Sequence, residues 1–413
     1  MAGRLWQRIA VDTTPLRNVA YRRLWWGQGV SFIGFQLTSV TMGAQIYSIT
    51  ESSFWVGMIG PASLVPLVVF GLWGGAVADA VDRRRLLLAG SLIAWVATGA
   101  LLLQAVLRID NIALMLGTVA VHSAGFAVTG PTRGAIIPRL VTVEEVPAAN
   151  TLNFLVGNLG TVIGPLLAGI VLDRGGFATA YLIDFILFTG GFYAALRLPP
   201  LPPLGEITRR PGWRSVNEGL GFIARHPVVL MSFVVDIIAM AFALPRALFP
   251  EITAERFGNS GMAFGWLSAS IAIGSVIGGL FSGWVGRVRR QGVALTIVIA
   301  LWGLSVAAAG LAGQLWLMVA LLALGGAADL VSAVWRQTIL QTYAPDEMRG
   351  RLQGVFHVVV AGGPRLGDLR AGATAAVVGV MPAWVGGGIV CAVLVVVVGL
   401  AVPAFRTYRP AGR

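Results

Sequence analysis

Twelve long apolar segments follow one another along this chain, from about residue 24 to residue 404. A helix needs roughly 20 apolar residues to cross the hydrocarbon core of a bilayer, and each segment has about that length. Because the segments recur over the whole chain, neither a cleaved signal peptide nor a single anchor accounts for them. The pattern predicts an all-α membrane protein with twelve transmembrane helices. The predicted spans are 24–49, 54–78, 86–107, 112–129, 148–172, 177–196, 228–249, 261–285, 293–311, 315–334, 352–380 and 383–404.

The composition agrees with this fold class. Hydrophobic residues make up 56% of the 413 residues and charged residues only 12%, whereas about a quarter of a soluble domain is charged. The mean hydropathy is +0.80. A soluble fold is therefore excluded, and the lipid bilayer is the expected surrounding of most of the chain.

The positions of the arginines predict the topology. All basic residues of the chain are arginines, and most lie at the termini and in alternate connections, including Arg336 in the loop predicted after the tenth span. The other connections hold only Arg108, Arg174 and Arg256. By the positive-inside rule the arginine-rich side is cytoplasmic, so we expect a cell-membrane protein with both termini inside.

Residue types that carry enzyme chemistry are sparse. Cys391 is the only cysteine, and His122, His226 and His357 have no metal-ligand spacing. No sequence resembles the nucleotide-binding pattern GxxxxGK[ST]. The net charge of +12 belongs to the connections and does not indicate nucleic acid. The sequence therefore predicts no enzyme activity, no catalytic residue, no metal and no cofactor.

The two halves of the chain share motifs at a nearly constant offset. Residues 75–85 have a counterpart in 279–290, and residues 133–145 have one in 336–347. A proline-rich connection separates the two sets of six spans. We predict two pseudo-symmetric six-helix halves, 1–198 and 228–413, joined by a cytoplasmic central loop, 199–227. This repeat is the architecture of secondary transporters that work by alternating access.

A charged loop follows the second predicted span and contains Gly75, Asp79, Arg83, Arg84 and Arg85. It is similar to the Gly-x3-Asp-x3-Arg-Arg/Lys signature that the major facilitator superfamily carries between its second and third helices, with Asp82 where many members have glycine. The resemblance implies a gate, because Asp79 can pair with an arginine across the loop and so latch one state. The alternative is a set of loop charges that only follow the positive-inside rule.

The fifth predicted span contains Gly160, Gly164, Pro165 and Gly169. It resembles the Gly-x3-Gly-Pro-x2-Gly-Gly signature of the superfamily's proton-driven exporters, with Ala168 in place of one glycine. Close helix packing, common in any membrane bundle, is the alternative role of these residues. The fourth span departs from the family, since Val121 to Gly125 lacks the arginine that many antiporters of the superfamily have there.

Two further segments resemble one particular branch of the superfamily. Residues 131–150 and 335–351 are similar to the branch that contains the bacterial enterobactin exporter and related multidrug or macrolide efflux proteins. The resemblance implies a secondary active transporter that exports a small amphipathic molecule, siderophore or drug-like, by proton antiport. The alternatives are a nutrient or metabolite importer of the same fold and a non-transporting membrane protein. The expected partners are the substrate, protons and the lipid bilayer, and a monomer is expected.

Charged residues within the apolar spans are candidates for proton or substrate binding, because ionised side chains are costly there. Asp236 in the seventh span and Asp329 in the tenth are the best proton-binding candidates. Each can instead form a permanent ion pair with Arg370 or Arg365. Asp184 is expected closer to the outer surface, as a capping or hydrated residue.

The eleventh span carries three charges. Arg365 and Asp368 are three residues apart and share a helix face, so they can neutralise each other. Arg370 points to nearly the opposite face and needs a partner on another helix, water or an acidic substrate. Gly362 to Gly367 predicts that this span is broken. In the first span Gln28 and Gln45 line either a cavity or a packed polar seam.

Overall fold

The structure is a computed structural model that describes residues 12–78, 81–202, 213–343, 345 and 349–409. Every regular element in these ranges is a helix. The α-helices are α1 (Val19–Thr50), α2 (Ser53–Gly57), α3 (Ile59–Ala78), α4 (Arg83–Leu107), α5 (Ile112–Leu140), α6 (Val146–Leu196), α7 (Trp213–Arg225), α8 (Pro227–Ala243), α9 (Phe249–Phe257), α10 (Gly261–Leu280), α11 (Gln291–Leu311), α12 (Leu315–Tyr343), α13 (Arg349–Val378), α14 (Val380–Ala401) and α15 (Pro403–Arg406).

Nine helical segments among the described residues are long and apolar enough to cross a membrane. One of them, Val143–Leu196, contains two predicted spans, so these segments account for all predicted spans except the first and the eleventh. Those two also lie on helices, α1 and α13, but α1 carries several polar side chains and α13 carries three charges at depth. The chain is thus a multi-pass all-helical membrane protein, and the total of twelve transmembrane helices stays a prediction.

Helix α6 holds the fifth and sixth predicted spans as two arms. The backbone is non-helical at Gly176, where φ is 68° and ψ is −172°. A residue with a Cβ atom rarely adopts this conformation, whereas glycine does so at little cost. Gly176 is therefore the point at which the chain turns from one arm to the other.

Two helices differ from the sequence predictions. Helix α13 runs unbroken from Arg349 to Val378 with Pro364 inside it, so the predicted break in the eleventh span is wrong. Its glycines serve close packing instead: a Cβ atom added at Gly367 would collide with the carbonyl oxygen of Met240. Helix α12 continues to Tyr343, nine residues beyond the predicted end of the tenth span. Arg336 therefore lies on a helix and not in a loop.

The chain forms two compact units. The first comprises 1–41, 65–171 and 175–209, and the second comprises 42–64, 172–174 and 210–413. The six-helix halves with boundaries at residues 198 and 228 stay a prediction.

The first unit has a core at the end where α4 begins. Tyr21, Leu87, Ile136 and Leu152 are buried there together with Leu201. Leu201 belongs to the predicted central loop, and its backbone amide donates to the carboxylate of Asp82, 3.3 Å away. The start of the loop is thus fixed to the first unit.

Glycines bring the helices of the second unit into backbone contact. A Cβ atom added at Gly274 of α10 would collide with the carbonyl oxygen of Ala323 on α12, and one at Gly326 would collide with that of Ile271. The Ser275 hydroxyl donates to the Gly326 carbonyl oxygen at 2.9 Å. This backbone contact between α10 and α12 positions the part of α12 that carries Asp329 and Arg336.

Candidate functional site

The centre of the second unit contains an arginine between two aspartates. The Arg336 guanidinium forms an ion pair with Asp236 through Nη1, and its Nη2 lies 3.6 Å from Oδ1 of Asp329. Its Nε donates to the Ser332 hydroxyl at 3.1 Å. Asp329 and Arg336 are seven residues apart on α12, which is about two helical turns, so their side chains share a face. We call Asp236, Arg336 and Asp329 the carboxylate–arginine triad.

The two carboxylates of the triad differ in exposure. The side chain of Asp236 is 4% exposed and that of Asp329 is 29% exposed, while Arg336 is 5% exposed. One acid is therefore enclosed with its arginine and the other is open to a small molecule or to water. A single cation between two acids leaves the triad with a formal charge of −1 when both acids are ionised.

The ion pairs of the triad differ from the alternative that the sequence left open. The alternative in which Asp236 and Asp329 pair with Arg370 or Arg365 is not realised, because Arg336 is the partner of both. Their role in proton binding stays a prediction. Arg336 falls in a predicted cytoplasmic loop and is therefore absent from the predicted site residues. A signal was present, since Arg336 follows Asp329 at the seven-residue spacing that returns to the same helix face.

Asp368 pairs with an arginine outside its own helix. Arg246, in the short 3-10 helix after α8, donates from Nη2 to Oδ2 of Asp368 at 2.9 Å. Arg365 instead donates from Nε to the Ser63 hydroxyl at 3.0 Å and from Nη1 to the carbonyl oxygen of Ala361. The Arg365–Asp368 pair that the spacing permits is not formed, because α8 ends at Ala243 and Arg246 reaches Asp368 from the 3-10 helix that follows.

Arg370 binds backbone carbonyl groups. Its Nε donates to Ala241 at 2.9 Å, its Nη1 to Ala383 at 3.4 Å and its Nη2 to Phe242. Ala241 and Phe242 belong to the last turn of α8, whose carbonyl groups have no partner within the helix. A cation is favourable at that end of a helix. The contact of Arg370 with an acidic substrate stays a prediction.

Replacing Arg370 by lysine is expected to lower the free energy of unfolding by about 1–3 kcal/mol, because one ammonium group cannot reach all three carbonyl oxygens. The thermal unfolding temperature of the purified variant measures this loss. Arg108→Lys, at an exposed position, is the matched control and should unfold as the wild type does. An Arg370→Lys variant of normal stability that fails to transport would contradict the capping role and favour the substrate role.

The structure describes only part of the Gly-Asp-Arg signature that follows the second predicted span. Asp79 lies outside the described residues, and Gly75 is within α3. Arg83 donates from Nη1 to the Ala135 carbonyl oxygen at 2.9 Å, and Arg84 donates from Nη2 to that of Leu196 at 2.7 Å. Asp82 caps α4 by accepting from the backbone amides of Arg84 and Arg85. The arginines thus tie this loop to the ends of α5 and α6, and the gate itself stays a prediction.

The glycines of the exporter-like motif lie against α1. A Cβ atom at Gly160 would collide with the Phe32 ring, and one at Gly164 would collide with Gln36. Pro165 and Gly169 are buried within α6. Gln28 and Gln45 both lie on α1, where Gln28 is half-buried and Gln45 is buried.

The structure corrects the predicted surroundings of Asp184. Its side chain is completely buried in the first unit, where Oδ2 accepts from the hydroxyl of Thr38 at 2.6 Å and from that of Thr98 at 3.3 Å. The expectation of a hydrated residue is therefore wrong, and the position of Asp184 relative to the outer membrane surface stays a prediction. Thr38 lies within the first predicted span, but sequence spacing alone does not indicate that it meets Asp184.

Comparison with known proteins gives concordant results. A family model described as transmembrane secretion effector matches residues 10–409. The enterobactin exporter EntS of Shigella boydii is 31% identical over 346 residues, which cover 82% of this chain and 80% of that protein. EntS of Escherichia coli is 30% identical with the same coverage.

Solved structures share the fold. The nucleoside transporter NupG has a TM-score of 0.75 at 14% identity and is covered over its whole length by 94% of this chain. A bacterial homologue of the human lysosomal transporter Spinster has a TM-score of 0.71 at 16% identity, with 96% of this chain and 97% of that one covered.

Proposed function

The chain belongs to the transmembrane secretion effector family of the major facilitator superfamily, and on this premise we propose that it exports a small amphipathic molecule in exchange for protons. The carboxylate–arginine triad is the observation that carries the proposal. The relatives named enterobactin exporter support a siderophore as the substrate, and a drug-like compound is the alternative that the resemblance of residues 131–150 and 335–351 implies.

The formal charge of the triad allows one proton to neutralise it. With both acids ionised the triad carries −1, so the uptake of one proton makes it neutral and lowers its cost in the bilayer. Because Asp236 is enclosed with Arg336, a proton on Asp236 breaks the ion pair and frees the guanidinium for Asp329. Protonation therefore changes which groups hold α8 and α12 together.

Substrate and proton compete for the carboxylate–arginine triad, and the substrate binds at Asp329. Asp329 is partly exposed, and as a carboxylate it can accept a hydrogen bond from a hydroxyl or ammonium group of a substrate. A proton on Asp236 frees Arg336 for Asp329, so this carboxylate is then less available to the substrate. The protein therefore binds the substrate best without the proton and the proton best without the substrate. Release of one then accompanies binding of the other, as antiport requires.

Everted membrane vesicles test the proposal. With enterobactin as the probe, an acidic lumen is expected to drive its accumulation in vesicles that contain the protein. Asp236→Asn should reduce this accumulation about tenfold, equivalent to about 1.4 kcal/mol, because asparagine neither binds nor releases a proton.

Asp110→Asn is the control, since Asp110 is exposed outside the predicted spans. This variant should accumulate the probe as the wild type does. Accumulation that follows a sodium gradient and ignores the pH difference would contradict proton antiport.

A further inference from the structure

A carboxyl group lies inside the first unit with no counterion among the residues that the structure describes. Asp184 is 0% exposed, and it follows the Gly176 break by eight residues, which is about 12 Å along the helix. That distance places it deep in the apolar span. No arginine lies within ion-pair distance of it in the part of the chain that the structure describes.

The groups around Asp184 are hydroxyls and backbone. Thr38 of α1 and Thr98 of α4 both donate to Oδ2, while Oδ1 is buried with no hydrogen-bond partner among the described residues. A Cβ atom at Gly34 would collide with Oδ1, so the carboxyl group rests directly on the backbone of α1. Three helices therefore enclose one acid.

Two further titratable side chains, Tyr181 and His122, are buried in the first unit. Tyr181 lies one turn earlier on α6 and is buried. His122 of α5 lies between Phe35 and Phe188, with ring centroids 5.3 Å and 6.0 Å from its own, and its Nε2 atom is buried without a partner in the described structure. The elements α1 and α4 present threonines to the carboxyl group.

An uncompensated charge in this position is costly. An ionised side chain is disfavoured within the bilayer unless an opposite charge lies beside it, and the two threonine hydroxyls supply no charge. The neutral acid avoids this cost, because no charge is then buried.

We infer that Asp184 is a second proton-binding site, separate from the triad, which is loaded and unloaded during the transport cycle. This inference rests on the proposed proton antiport. The neutral carboxylic acid loses its proton to water when α1, α4 and α6 move apart, and the carboxylate regains a proton before they close. No other reactant is needed.

Two measurements on the full-length protein in liposomes test the inference. Infrared spectra recorded over a pH series should show a C=O stretching band of a neutral carboxylic acid that Asp184→Asn lacks. In everted vesicles, Asp184→Asn should lose about nine-tenths of the accumulation of enterobactin driven by an acidic lumen. Asparagine keeps the size of the side chain and a hydrogen-bond acceptor, so thermal unfolding should stay close to that of the wild type.

The outcomes separate this inference from the proposed function. A wild-type protein that ignores the pH difference contradicts proton antiport itself. If the wild type responds and Asp184→Asn responds equally, the carboxyl group is a packing element and the inference is overturned. If the wild type and Asp184→Asn show the same infrared C=O bands, the inference is also overturned, because no proton is then held at Asp184. The exposed variant Asp110→Asn is the control in both measurements.

Discussion

Arg336→Met is expected to destabilise the second unit by about 3–5 kcal/mol and to abolish export. The substitution keeps an unbranched side chain but leaves Asp236 buried without its cation, and breaking a buried ion pair from one side has a cost of this size. Asp329 loses the same partner. The thermal unfolding temperature and vesicle accumulation of enterobactin measure the two effects.

A compensated variant separates folding from function. Asp236→Asn and Asp329→Asn combined with Arg336→Met remove all three charges, so stability should recover toward that of the wild type while transport stays absent. Arg336→Lys should be intermediate, because an ammonium group lacks the planar fork that reaches two carboxylates. An Arg336→Met variant as stable and as active as the wild type would show that the triad is neither structural nor functional.

Gly326→Val is expected to destabilise the second unit by about 1–3 kcal/mol, the usual cost of overpacking, and to reduce transport strongly. Any side chain at Gly326 meets the backbone of Ile271 on α10, and backbone cannot yield as a flexible side chain can. The displaced α12 carries Asp329 three residues later, so the triad moves with it. Unfolding temperature and accumulation are again the measurements.

Gly386→Ala is the matched control for Gly326→Val. Gly386 also lies on a helix of the second unit, but nothing lies within 4 Å of a Cβ atom added there. Alanine should be tolerated or slightly stabilising because it forms helices better than glycine. Equal losses in the two variants would mean that the α10–α12 contact does not determine the effect.

The sequence by itself determined the class of molecule. A backbone in lipid must satisfy its hydrogen bonds internally, so repeated apolar segments of this length specify helices, and the described residues are helical in each of these segments. The family motifs also lie in the sequence, and the family match across residues 10–409 confirms what they indicated. These features are local, which is why they could be read without a structure.

The tertiary structure decided which charged groups meet. Arg336 and not Arg370 neutralises Asp236, because α12 continues past its predicted end and faces α8. Asp184 is buried because Gly34 and two threonines on other helices close around it. Hydropathy gives the length of a helix but neither its rotation nor its approach to neighbours. Those depend on where small residues let backbones touch, and so the ion pairs of the interior follow from packing.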